Sequence, residues 1–174
     1  MDLKDILNED NIKKLAEKVG VDPKDVMSAA KKVLPKITGG IKGLFSDDEP
    51  KDDGKPRWNV FAQAANGTWK LGQMPPTDII EAYDLEQGNK VLEAALGGKD
   101  GSRAVAEQAA KETGVDAGAI KKMLPGLASL VMSEVQQKGK ASDDVATKQN
   151  DDGSIDWSSA IDSDKAKEFL KNLF

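Results

Sequence analysis

One pattern occurs twice in this chain of 174 residues, and it restricts the fold more than any other feature. An Ala-x-x-x-Gly-Val-Asp step appears at Ala16, Gly20, Val21 and Asp22, and again at Ala110, Gly114, Val115 and Asp116. Glycine suits the left-handed position that ends a helix, and aspartate suits the cap that opens the next one. Apolar residues follow each corner at matching offsets: Val26, Ala30, Val33, Ile37 and Ile41 in one copy, Ile120, Leu124, Leu127, Val131 and Val135 in the other. That spacing traces a single face of a helix. A Leu-Pro pair accompanies both, Leu34-Pro35 and Leu124-Pro125, four residues further from the glycine in the first copy. Four residues make about one helical turn, so the proline moves without rotating the apolar face. Two related helix–corner–helix units are expected.

The rest of the chain divides around them. The expected fold is a mainly α multihelical array with two related helical repeats and a small β-hairpin-like insert. Residues 1–45 form the first repeat, with a helix from about Pro23 to Leu34 that Pro35 kinks or restarts. Residues 46–57 form a flexible acidic linker, since 46–56 hold no apolar side chain to offset the entropy of ordering them. Residues 58–76 form the insert: Asn66-Gly67 is a hairpin-turn signal, flanked by the strand formers Trp58, Val60, Phe61, Thr68, Trp69 and Leu71. Residues 77–140 form the second repeat, with a helix around Asn89 to Leu96 before it. Residues 141–156 are a second acidic linker, and 157–174 a C-terminal amphipathic helix.

Composition narrows the function more than it identifies it. A chain of this size buries roughly 70% of its unfolded surface, and with only eight aromatic residues its core must be aliphatic. The net charge of −5 is uneven: residues 1–45 carry nine lysines against seven acids, and 103–140 six basic residues against four acidic, while the connectors hold the excess acid. No stretch approaches the roughly 20 apolar residues of a membrane span. No secretory signal shows at Met1–Asp5, so a cytoplasmic location is expected. The absence of Cys and His removes disulfides, thiol chemistry and the usual general base.

Three motifs have blander explanations. The corner spacing matches a DNA-binding helix-turn-helix, but the second helices offer only Lys24, Lys121 and Lys122 where base-reading residues belong. Any tight helical corner wants the same glycine and branched residue. A calcium loop through Asn150, Asp151, Asp152 and Gly153 would place Lys148 at the first ligand position, which repels the ion. Gly97-Gly98-Lys99-Asp100-Gly101-Ser102 lacks the spacing of a phosphate-binding loop and reads as a connector. No catalytic, cofactor-binding or metal-binding residue is assigned, and no cofactor is expected.

The motifs Gly114-Val115-Asp116, Leu124-Pro125-Gly126-Leu127 and Leu96-Gly97-Gly98, with Gly20-Val21-Asp22 and Leu34-Pro35-Lys36-Ile37, resemble the YidB-like bacterial family, named only as domain of unknown function 937. The resemblance covers residues 10–45 and 88–138. It implies an all-helical fold and carries over no catalytic residue. The segment 57–76 departs from the family pattern.

The functional expectation is a non-catalytic helical interaction or scaffold protein with a protein partner or a second copy of itself. A helix-turn-helix-like nucleic-acid binder and an enzyme of unrecognised type are the alternatives. Candidate partner-binding residues are the aromatics Trp58, Phe61, Trp69, Trp157, Phe169 and Phe174, because aromatic side chains concentrate at binding hot spots. The same six serve equally as anchors that dock the insert and the tail onto the chain's own core.

Overall fold

Both corners form by the same local chemistry. The computed structural model describes residues 3–45, 51–52, 55–56, 58–67, 79–80, 85–142, 150–151, 155–161 and 164–174. A short α1 (Leu3–Ile6) leads to α2 (Glu9–Val19), which Asn8 caps by accepting from the Asn11 backbone N–H at 2.8 Å. Gly20 ends α2 at φ 74° and donates its N–H to the Ala16 carbonyl at 2.8 Å. Asp22 then caps α3 (Pro23–Gly43) by accepting from the Lys24 N–H at 2.8 Å. At the second corner α6 (Lys99–Thr113) ends on Gly114 at φ 77°, and Asp116 accepts from the Ala119 N–H at 2.8 Å to open α7 (Ala117–Lys140).

Neither proline stops its helix. Helix α3 runs past Leu34 and through Pro35 to Gly43, and α7 runs through Pro125. A proline inside a helix costs a hydrogen bond, but breaking α3 there would expose Ile37 and Ile41, which are fully buried. Thr38 Oγ1 donates to the Leu34 carbonyl at 3.0 Å, back-bonding one turn along the same helix. Gly40 serves as a crossing point. A Cβ there would lie 1.9 Å from the Ala95 carbonyl oxygen of α5 (Leu85–Leu96). Gly88 of α5 makes the matching approach to α7, where a Cβ would sit 2.8 Å from Cβ of Pro125.

The likeness between the corners does not extend to two separate repeats. Helix α5 falls within the span expected to belong to the second unit, yet it packs on α3 and on α4 (Trp58–Gly67) as well as on α7. Helix α3 in turn packs on α6 and α7. Val26 and Ile120, one from behind each corner, are both fully buried in one contiguous core. The glycine crossings bring α5 close enough to join the two apolar faces in that one core.

The expected hairpin is also corrected. Residues Trp58–Gly67 form a helix, α4, with Phe61, Ala64 and Ala65 buried at one-face spacing. Alanine is the strongest helix former, and Ala62, Ala64 and Ala65 outweigh the strand preference of their aromatic neighbours. Asn66-Gly67 therefore ends a helix; the second half of the expected hairpin, from residue 68 to 76, lies outside the described residues. A minimal antiparallel pair does occur, within the expected first linker: β1 (Lys51–Asp52) beside β2 (Lys55–Pro56). The C-terminal segment comprises two helices where one was expected, α8 (Trp157–Ile161) and α9 (Asp164–Leu173).

Candidate functional site

Two of the six aromatic residues singled out by sequence, Phe61 and Trp157, meet in one place. Phe61 of α4 and Trp157 of α8 are both 0% exposed and meet edge to face with ring centroids 6.5 Å apart. Phe45, just past α3, meets Phe61 in the same way at 5.4 Å. Each such pair adds to the burial of its rings because the positive edge of one meets the negative face of the other. Insert and tail, far apart in sequence, are thus held against each other through their aromatics.

A polar set fixes the tryptophan in this socket. The Trp157 indole Nε1–H donates to Gln136 Oε1 at 2.8 Å, and Gln136 Nε2 donates to the Ala65 carbonyl of α4. Asn66 works from the rim: its Oδ1 accepts from the Trp157 backbone N–H at 3.0 Å and its Nδ2 donates to Ser158 Oγ at 3.1 Å. The indole lies so close to α7 that a Cβ on Gly139 would be 2.9 Å from Cη2. A buried indole N–H without a partner is costly; Gln136 removes that cost. Sequence reasoning missed Asn66, Gln136 and Gly139. The signal for Gln136 was its place directly after Val135, where the apolar face of α7 continues into a polar side chain that must find partners indoors.

The other candidates lie differently. Trp58, Phe169 and Phe174 are half-buried and packed against the core, each with some surface left exposed. Trp69 lies outside the described residues. Phe61 and Trp157 present no surface to solvent, while Trp58, Phe169 and Phe174 retain some.

An apolar groove opens elsewhere, where α1 leads into α2 beside the start of α3. Leu7 and Met27 line it half-buried, Ile12 is buried in its wall, and Pro23 is exposed beside them. Its rim carries both signs of charge, with Glu9, Lys13 and Lys24, and its volume is about 660 Å³. The Lys13 ammonium, 2.7 Å from Glu9, lowers the Glu9 carboxyl and is itself raised by it.

Of the lysines on the helices that follow the two corners, Lys32 is held in an ion pair between helices. Lys32 of α3 is 3.0 Å from Glu112 of α6 and, with a hydrogen bond from Gln108 at 2.9 Å, holds that carboxyl below its ordinary value. Gly97 and Gly98, at φ 79° and 90°, lead into α6 beside a cleft of about 470 Å³ that Lys99, Arg103 and Lys121 share with Glu93. Among the described residues no group of three or more acidic side chains is placed to hold a metal ion, and no helix is long and apolar enough to cross a membrane.

The architecture defines an all-helical domain built on capped Gly-Val-Asp corners, with a tail clipped on by tryptophan. The chain belongs to the DUF937 family, bacterial proteins of unknown function, whose pattern matches residues 2–138. The match ends within α7, before the α8–α9 tail. Neither the curated proteins nor the solved structures contain a match.

Proposed function

We propose that the protein is a non-catalytic helical interaction protein of the bacterial cytoplasm, which receives an apolar segment of a protein partner in the groove of Leu7, Ile12 and Met27. The groove itself is the observation that carries the reading. It places half-exposed aliphatic side chains in a concavity with a rim of mixed charge, which is the composition of a small protein-binding patch. Methionine adapts to partners of varied shape because it is unbranched and polarisable. On this reading the buried aromatics Phe61 and Trp157 serve as internal anchors. The half-buried Trp58, Phe169 and Phe174 are the aromatic candidates left for a second contact. The nucleic-acid alternative is the weaker reading, since Lys32 is engaged by Glu112 and the net charge of the chain is −5.

Replacing Met27 by a photo-crosslinking amino acid in living bacterial cells tests this. Discrete protein adducts are expected from position 27, and none of the same mass from the exposed Lys122. Identical adducts from both positions, or none from either, would remove the groove as an interaction surface.

A further inference from the structure

A second cleft, of about 630 Å³, lies between the α1–α2 junction and the C-terminal half of α7. That volume falls within the usual range of small-molecule sites, roughly 300–1,000 Å³. Asn11 lines it at 1% exposure, and its hydrogen bonding is incomplete. Its backbone N–H is taken by Asn8 Oδ1 at 2.8 Å and its Nδ2 donates to the Ile6 carbonyl at 3.1 Å. Its Oδ1 accepts from no group among the described residues. Rotating the amide does not help, because it would set an oxygen against the Ile6 carbonyl. A buried amide oxygen of this kind calls for a donor.

The opposite wall supplies a charge. Glu134 of α7 lines the same cleft with its side chain only 13% exposed, and the Lys138 ammonium is 3.6 Å from it. Beside it, Ser133 Oγ is already engaged, accepting from Gln137 Nε2 at 3.2 Å. A carboxylate accepts several donors at once, so Asn11 and Glu134 together favour a group with several N–H bonds and a positive charge. An ammonium meets that description. Two lysines, Lys4 and Lys138, also line the cleft and disfavour a ligand that is cationic throughout; they suit one with an anionic end. Ile6, Ile79 and Leu130 complete the lining with aliphatic surface.

We propose that this cleft binds an aliphatic α-amino acid, its ammonium held by Asn11 Oδ1 and the Glu134 carboxylate, its carboxylate facing Lys4 and Lys138, and its side chain against Ile6, Ile79 and Leu130. The site is separate from the Met27 groove, and either assignment can fail without the other.

The test is a titration of the isotopically labelled full chain, followed by its amide and side-chain resonances, with three probes that share one carbon skeleton. L-Leucine carries both charged groups, isopentylamine lacks the carboxylate, and 4-methylpentanoate lacks the amine. Leucine is expected to give saturable shifts centred on Asn11, Ser133 and Glu134, isopentylamine weaker ones, and 4-methylpentanoate none. Glu134→Gln, close in shape to the original, is expected to weaken leucine about tenfold or more, the loss of one charged hydrogen bond. The assignment is overturned if leucine gives no saturable shift, if either truncated probe binds as well as leucine, or if Glu134→Gln leaves leucine binding unchanged. The probe series needs no variant, so it decides the matter even if Glu134→Gln disturbs the fold.

Discussion

Helices α3 and α7 leave identical corners and then lead different lives. From Met123 to Ser133 every residue of α7 is buried, with α1, α2, α3, α5 and α6 packed around it. Over the comparable part of α3, Val26, Ala29, Ala30, Val33, Leu34 and Ile37 are buried, but Lys31, Lys32, Pro35 and Lys36 face out. The corner is a local device: a left-handed glycine, an aspartate cap and a branched residue suffice for it. How deep the following helix sits is decided by the residues off the shared stripe. In α7 these include Pro125, Gly126 and Leu130, all uncharged, where α3 has Lys31, Lys32 and Lys36. The same entrance thus serves a central helix and a peripheral one.

The comparison breaks most visibly at the aromatic socket, where Gln136 and Gly139 of α7 hold the Trp157 indole. Trp157→Ala should cost about 3–5 kcal/mol, the range for deleting a buried tryptophan side chain. Chemical denaturation measures it, and a loss under about 1 kcal/mol would mean that the tail is not part of the core. Next in size is a contrast between adjacent glycines of α3. Gly40→Ala forces a methyl onto the Ala95 carbonyl and should destabilise by about 1–3 kcal/mol. Gly39→Ala meets nothing within 4 Å and should stabilise by about 0.5–1 kcal/mol. Equal effects at the two sites would refute the α3–α5 crossing.

The corners themselves are expected to respond alike. Asp22→Ala and Asp116→Ala each remove one cap bond and should each cost about 1 kcal/mol. A large inequality in their thermal midpoints would show that the two corners are not equivalent after all. The smallest effect concerns the ion pair joining α3 to α6. Lys32, then Gln108, hold the Glu112 carboxyl below its ordinary value. A depressed carboxyl contributes stability that is present above its ordinary pKa and lost as pH falls through the lowered one. Glu112→Gln should therefore lower the denaturation midpoint slightly at neutral pH and not at all in strong acid. A difference that grew on acidification would reverse the sign and reject the pair.

The corners were legible because glycine, aspartate and proline act on their immediate neighbours, and so was the single apolar stripe of each helix. Helix α4 was misread for the opposite reason. Asn66-Gly67 is a strong local turn signal, but Asn66 answers to Trp157, 91 residues away, and the alanines answer to α5 and α7. The unmade bond of Asn11 was beyond reach too. Asn8 and Asn11 show in sequence only as a cap and a polar residue beside Ile12. Which amide atom stays idle depends on the Ile6 carbonyl and on the wall that α7 provides.

The tryptophan socket has a consequence for how the chain emerges from the ribosome. Phe61, Asn66 and Gln136 are all synthesised before Trp157, the last of them 21 residues earlier. At about 5–20 residues per second, the nascent domain passes roughly 1–4 seconds with its socket complete and its plug not yet made. During that interval the apolar ring of Phe61 and the amide of Gln136 face outward, and a chaperone that shelters aromatic surface has its opening there.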